Sequence, residues 1–106
     1  MIETKGKILL SGFNLDEAEN AIVSNIIRHH VNKIRERTDF DYLKLRLRKI
    51  AKGKTFLHEI EGSLKTRNQI FASKSADYNL FSALAEVMEK LLNELRHRMR
   101  TQRQRK

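Results

Sequence analysis

The sequence contains no cysteine and no proline, and only seven of its 106 residues are aromatic. Without cysteine the chain has no disulfide, no thiolate metal site and no thiol nucleophile. Without proline it has no proline-rich linker. Long apolar runs are also missing, since every apolar run in the sequence is shorter than a membrane span requires. The first thirteen residues hold an apolar core of only three and no small-residue cleavage site. We therefore expect no signal peptide and a cytoplasmic protein.

Positive charge is what the sequence has in excess, with a net charge of +9 at neutral pH. Residues 42–76 hold nine bases against two acids, whereas residues 16–41 carry a net charge of −2. This excess favours a polyanionic partner, such as nucleic acid, over the simpler explanation that bases keep the protein soluble. With 40% apolar and 33% charged residues, we expect one folded domain over residues 1–103 and a frayed basic end at 104–106.

The first third of the chain predicts a strand followed by a helix. A short apolar run from Lys7 to Phe13 indicates the strand. Asn14 is then expected to cap the helix, with Glu17 three residues later completing a capping box. The helix is expected to end near Arg37, and its apolar residues recur at three- and four-residue spacings. That apolar face is formed by Ile22, Val23, Ile26, Ile27, Val31 and Ile34.

Two runs of alternating polarity follow on either side of Gly53 and predict a β-hairpin. A register in which opposed residue numbers sum to about 105 sets polar against polar and apolar against apolar side chains. The pairs predicted in this way are Glu59–Arg46, Glu61–Lys44, Ile60–Leu45 and His58–Leu47.

A polar turn over residues 65–68 leads to a last strand at 69–75, after which Asn79 is expected to cap a second helix. Because crossovers between strands of one sheet are right-handed, the first two strands should pair in parallel, with the remaining strands antiparallel. We therefore predict an α+β, two-layer β-α-β-β-β-α fold, with both helices on one face of a four-stranded mixed sheet. The buried stripe of the second helix is predicted at Leu80, Leu84, Val87, Met88, Leu91 and Leu95, with Phe81 on its flank.

Residue types that support catalysis or metal binding occur without the arrangement they need. His29 and His30 are adjacent, so on a helix they point about 100° apart and cannot chelate one metal ion. His58 is expected on the inner face of its strand as a core histidine. Glu59 and Glu61 share the other face, where neutralising the bases opposite them is a simpler role than acid–base catalysis. We expect no enzyme activity, no metal, no cofactor and no small-molecule substrate.

The remaining signal is a basic surface with four candidate parts: the outer face of the second strand, the turn after it, and the ends of both helices. The glutamates cancel part of the strand's charge, so the turn and the helix ends carry more weight. The helix dipole also favours cations at helix C-termini without any ligand. The candidate contact residues are Arg28, Lys33, Arg35, Arg37, Lys44, Arg46, Arg48, Lys49, Lys52, Lys54, Lys90, Arg96, Arg98, Arg100 and Arg103.

The end of the second helix and the scarcity of aromatic residues refine this prediction. On continued helical geometry Arg96, Arg100 and Arg103 fall along one side, beyond the point where core packing ends. Most phenylalanines lie at positions predicted as core, which disfavours stacking on unpaired bases. Contact with the backbone and shape of structured RNA is favoured instead.

Four segments, taken in order, carry a resemblance to a known family. "ILLSGFNL" is similar to an opening Ile-x-Ile-Thr-Gly strand before a capped helix, and "TFLHEIEG" to an Ala-Thr-Leu-His-Val strand. "QIFAS" resembles a Glu-Ile-His-Ala strand, and "NLFSALAEVMEKLLNEL" an Asp-Met-Tyr-Ala-Ala-Ile-Asp segment leading into the last helix. Over about residues 7–100 the chain thus resembles short, divergent members of the ribosome hibernation-promoting factors. These are also called ribosome-associated translation inhibitors or sigma-54 modulation proteins.

The resemblance implies a fold similar to the double-stranded-RNA-binding domain with an added first strand. It implies binding to the small ribosomal subunit, to its rRNA and neighbouring ribosomal proteins, in the channel used by mRNA and tRNA. Idle ribosomes would thereby be held inactive by a factor that we expect to be monomeric when free. Two alternatives remain: a module for other structured RNA, and a basic domain that binds an acidic protein. The rRNA contacts are expected first at Arg96, Arg98, Arg100 and Arg103, and next at Arg35, Arg37, Lys52 and Lys54.

Overall fold

A computed structural model describes residues 6–104 of the chain and the side chains of residues 6–98. The four strands form one sheet in the order β1-β2-β3-β4, in which β1 is parallel to β2 and the other neighbours are antiparallel. This confirms the predicted α+β fold. No helix in the described residues is long and apolar enough to cross a membrane. The elements are β1 (Lys7–Ser11), α1 (Glu17–Arg35), β2 (Tyr42–Lys52), β3 (Thr55–Lys65), β4 (Ile70–Asp77) and α2 (Leu80–Gln104).

The first helix begins two residues later than predicted, because its N-cap is Asp16 rather than Asn14. A carboxylate oxygen of Asp16 accepts a hydrogen bond from the backbone N–H of Glu19 at 2.8 Å, and the Glu19 side chain accepts one from the N–H of Asp16. Phe13 and Leu15 are partly buried against the core. The chain therefore uses these residues to pass from the sheet to the helix layer before α1 can start. The second helix does begin at the predicted cap, since Asn79 Oδ1 accepts from the N–H of Ser82 at 2.9 Å.

The core lies between the inner face of β2, β3 and β4 and the two helices. The predicted stripe of α2 is confirmed, and Leu92 and Ala83 join it. Gly62 lets α2 approach β3 closely, because a Cβ there would lie 2.8 Å from Cγ1 of Val87. The predicted face of α1 is wrong at Ile22, which is 43% exposed. The edge strand β1 is also exposed along its whole length, so the core does not extend under it.

The hairpin register is shifted by two residues from the prediction. Arg46 lies opposite Glu61, and Arg48 lies opposite Glu59. The cause is the turn: Gly53 has φ +61° and occupies the first central position of a two-residue loop, as in a type II′ turn. The predicted register had placed Gly53 at the second central position of the loop. Because a shift of two residues keeps every side chain on its face, the faces were predicted correctly and the partners were not.

Candidate nucleic-acid interface

The predicted basic residues fall mainly at the two opposite ends of the sheet. The eleven residues of β2 connect these ends, a distance of roughly 35 Å. We call the end that carries the C-termini of both helices the helix-end pole; it comprises residues 33–41, 65–71 and 93–98. The other end, where β2 turns into β3, is the hairpin pole and comprises residues 49–58 and 77–78. Each pole is described separately below.

Both helices reach the helix-end pole, as their last arginines show. The Arg35 guanidinium donates to the carbonyl oxygen of Gly6 at 3.5 Å and lies 5.6 Å from the ring centroid of Phe40. Both contacts are with the residues just before β1 and β2. The Arg98 guanidinium lies 5.9 Å from the ring centroid of Phe71, near the start of β4. The C-terminal ends of α1 and α2 therefore lie at the same end of the sheet.

The cations of this pole are largely free of acidic partners. Among the described residues, ion pairs within 4.0 Å at this end join only Lys65 to Asp41, at 3.3 Å. Arg96 instead donates to the amide oxygen of Asn93 at 3.5 Å. Arg67, which sequence reasoning assigned only to a polar turn, is exposed here and lines a cleft with Asp39 and Asp41. The cationic residues of the pole with described side chains are Lys33, Arg35, Arg37, Lys65, Arg67, Arg96 and Arg98.

The outermost predicted contacts of α2 lie at the limit of the described chain. The backbone of α2 is helical through Gln104, so Arg100 and Arg103 are on the helix as predicted. Their side chains lie outside the described residues. Of the predicted frayed end, residues 105–106 also lie outside the described residues, whereas Gln104 is the last residue of the helix.

The hairpin pole combines exposed lysines with exposed aromatic rings. Lys49, Lys52 and Lys54 are all exposed, and no ion pair joins them to a described carboxylate. Phe56 is 51% exposed and Tyr78 is 57% exposed. The expectation that the phenylalanines are core residues is therefore wrong for Phe56. The hairpin extends past the last residue pair of β3 and β4, so neither β4 nor its neighbours cover the ring.

Between the poles, the outer face of the sheet holds an ion-pair network centred on Glu59. Its carboxylate lies 2.7 Å from the Arg48 guanidinium and 3.4 Å from Nζ of Lys74. Glu61 lies 3.8 Å from the same lysine. The hydrogen bond from Arg48 holds the pKa of the Glu59 carboxyl below its ordinary value, with help from Lys74 and against the desolvation of the carboxylate. The prediction that these glutamates neutralise Lys44 and Arg46 is wrong.

The register shift explains that correction and leaves two cations available on the sheet face. Lys44 lies opposite Ser63, and Arg46 lies opposite Glu61, but neither base forms an ion pair within the described part of the chain. A shallow concavity of about 890 Å³ covers this region. Its floor includes the small side chains of Ser63 and Ala72. The sheet face therefore carries more free positive charge than the sequence indicated.

Two predicted contact residues lie away from both poles and from the outer face of the sheet. Arg28 is in the middle of α1 and hydrogen-bonds Asn25. Lys90 donates to the backbone oxygen of Lys74 at 2.8 Å and pairs with Glu86 at 3.7 Å. Both bases are thus engaged within the protein, which makes them weaker candidates for an external anion.

Two of the four histidines, His30 and His58, have hydrogen-bond partners in this fold. His30 is buried, and its two ring nitrogens lie 2.9 Å from the carbonyl oxygen of Ile26 and 3.1 Å from a carboxylate oxygen of Glu89. It thereby ties α1 to α2. His58 is only half-buried, contrary to its predicted core position, and its Nδ1 lies 3.0 Å from the carbonyl oxygen of Tyr78. No group of three or more metal-ligating side chains occurs among the described residues.

Two solved structures have this arrangement of strands and helices. A ribosomal subunit interface protein from Coxiella burnetii aligns with a TM-score of 0.65, covering 89% of this chain and 96% of its own, at 12% identity. The N-terminal domain of Protein Y from Thermus thermophilus aligns with a TM-score of 0.54, covering 85% and 93%, at 15% identity. The chain shares their fold. Neither a family model nor a curated protein sequence matches it significantly.

Proposed function

We propose that the protein is a ribosome-associated factor of the hibernation-promoting type, without enzyme activity. It binds small-subunit rRNA in the channel used by mRNA and tRNA, and so keeps idle ribosomes from translating. The observation that carries this proposal is the meeting of two basic helix C-termini at one pole of the fold. A fold shared with a protein named for the ribosomal subunit interface, together with the sequence resemblance, directs the proposal to the ribosome.

The inhibition follows from occupancy rather than from chemistry. The Cα atoms extend over 54 × 35 × 18 Å, so the bound protein excludes other ligands from a channel that it fills. Affinity comes mainly from lysine and arginine side chains that replace counterions on the rRNA phosphates. The free protein acts as a monomer in the cytoplasm and needs no cofactor.

The primary contacts are lysine and arginine residues at or next to the C-terminal ends of the two helices. Each belongs to the end of a helix anchored in the core, so its position is fixed with little cost in backbone entropy. The hairpin lysines and the free sheet-face bases add secondary contacts. The proposed primary residues are Lys33, Arg35, Arg37, Arg96, Arg98, Arg100 and Arg103, and the secondary ones are Lys44, Arg46, Lys49, Lys52 and Lys54.

Co-sedimentation with purified small subunits over a range of salt concentrations tests this function. We expect binding at low salt that weakens linearly in log–log form as salt rises, together with inhibition of translation in a purified system. A plain RNA duplex at equal salt serves as the comparison, and equal affinity for it would favour a general RNA-binding module. Association in cell extract that survives nuclease treatment would favour an acidic protein partner. Failure to bind small subunits at any salt would refute the proposal.

A further inference from the structure

The hairpin pole has a feature that phosphate binding does not use: bare aromatic rings. Phe56 and Tyr78 leave more than half of their surface in solvent, 51% and 57% respectively. The other exposed large apolar residues, on β1, α1 and at the start of β4, are aliphatic. The two rings therefore stand apart in chemistry as well as in position.

The hairpin holds these rings in place. Ile50 and Leu57 pair directly and are half-buried on the outer face of the hairpin. Phe56, next in sequence, consequently points to the opposite face, the side on which the helices lie. Nδ1 of His58 donates to the carbonyl oxygen of Tyr78 at 3.0 Å. This hydrogen bond ties the segment that carries the second ring to the strand that carries the first.

The charges around the rings select the partner. Lys49, Lys52 and Lys54 surround this end of the hairpin without an ion pair to any described carboxylate. The nearest acids along the strands are Asp77, which lies opposite His58, and Glu59, which is already paired. An exposed aromatic ring with unpaired lysines on either side is suited to a ligand that has a planar aromatic group between two phosphates.

We propose that the hairpin pole binds an unpaired nucleobase of RNA, which stacks on Phe56 while the lysines contact the flanking phosphates. Tyr78 supplies a second ring for a neighbouring base. Bases inside a duplex are already stacked and cannot reach the ring, so the pole distinguishes unpaired from paired RNA. This inference rests on the proposed function only in taking RNA as the partner. It reverses the expectation from the sequence, which favoured contact with the backbone and shape of structured RNA over stacking on unpaired bases.

A tryptophan at position 56 tests the stacking directly, because the chain has none of its own. Phe56→Trp would be titrated with a twelve-nucleotide oligoadenylate and with an RNA duplex of twelve base pairs, at equal salt. Anisotropy of labelled RNA would report saturation independently. We expect the tryptophan emission to be quenched at saturation by the single strand and not by the duplex. Ile22→Trp is the matched control, because Ile22 is 43% exposed and lies on a segment of α1 without lysine or arginine. The emission of this tryptophan should not change when RNA is added.

Removal of the ring without a change of charge provides the second measurement. Phe56→Leu should weaken single-strand binding roughly fivefold to a hundredfold, the range found for loss of one stacked base. The dependence on salt should stay the same, because no phosphate contact is lost. A thermal melt checks that the variant folds.

Unchanged emission from Phe56→Trp at saturation, or no binding of the single strand, overturns the inference. A hairpin that binds an acidic protein instead would give the same negative result with RNA. The proposed function is tested apart from this, by co-sedimentation of the wild-type protein with small subunits. Small-subunit binding without quenching would therefore refute the stacking site and leave the ribosomal function in place.

Discussion

Both poles carry cations, but their aromatic rings differ in exposure. At the helix-end pole, Phe40 and Phe71 are 2% and 4% exposed, and an arginine lies over each ring. At the hairpin pole, Phe56 and Tyr78 are bare and the lysines lie free beside them. Arginines that stack on buried rings at the ends of two packed helices are suited to the regularly spaced phosphates of double-helical RNA. Exposed rings on a protruding hairpin are suited to unpaired nucleobases.

The largest effect is expected from neutralising the helix-end pole. Arg37→Ala, Arg96→Ala and Arg98→Ala together should flatten the log–log salt dependence of small-subunit binding by about three units, one for each phosphate contact. At physiological salt, co-sedimentation should be lost. The melting temperature should change little, since the described contacts removed are the stacking of Arg98 on Phe71 and a long hydrogen bond from Arg96 to Asn93. An unaltered slope would show that this pole does not face the rRNA.

The same charge change at the hairpin pole should have a smaller effect. Lys49→Ala, Lys52→Ala and Lys54→Ala should weaken small-subunit binding but leave it measurable at physiological salt, because the helix-end contacts persist. Sedimentation of the two triple variants side by side measures the difference. If the hairpin variant lost more affinity than the helix-end variant, the ranking of the two poles would be reversed.

Between the poles, removal of the charge on Glu59 should strengthen the contribution of the sheet face to binding. Glu59→Gln releases Arg48 and leaves Lys74 with Glu61 alone, so the salt slope should steepen by about one to two units. The pKa of Glu59 is lowered in the folded protein. Its stabilising contribution is therefore present above the usual pKa of the carboxyl and is lost as the pH falls through the lowered value. Thermal melts of wild type and variant should differ at pH 7 and converge in strong acid.

Equal melting temperatures of wild type and Glu59→Gln at every pH would mean that the ion pairs of Glu59 contribute no stability. A variant with unchanged salt slope would mean that the sheet face does not approach the RNA. Glu86→Gln is a matched control, since it also removes an ion pair with a lysine, Lys90, but on α2 and away from the sheet face.

The smallest effect on binding is expected from a change in the core that joins the poles. Gly62→Ala places a Cβ 2.8 Å from Val87 and 3.1 Å from Leu91. Overpacking of this kind costs about 1–3 kcal/mol of unfolding free energy, seen as a lower melting temperature. The salt slope of the folded variant should match wild type. Ser63→Ala, on the other face of β3, is the control and should melt normally; equal melting of both variants would show that α2 does not pack closely on this glycine.

The fold could be predicted from the sequence because its signals are periodic and local. The alternation around Leu43, Leu45 and Leu47 set the faces of β2, and the spacing of Leu84, Met88 and Leu91 set the buried side of α2. The convergence of the helix C-termini at one end also follows from the element order, because β1 and β4 run in the same direction and each is followed by a helix that runs back.

The errors arose where neighbouring elements decide the outcome. Asn14 and Asp16 both begin capping-box patterns, and only the burial of Phe13 and Leu15 selects the second. The position of Gly53 within its turn shifts the register by two residues, which no alternation of polarity can detect. Exposure of Phe56 depends on how far the hairpin extends past β4, and strand periodicity does not contain that length. These are the features on which the ion-pair network and the hairpin site depend.

Competition for the channel tests the central claim most directly. Wild-type protein would be sedimented with small subunits that are empty and with subunits whose channel already holds mRNA and tRNA. If the protein occupies this channel, it binds the empty subunits and is excluded from the filled ones, and it prevents later loading of tRNA. Equal binding to empty and filled subunits would contradict the account.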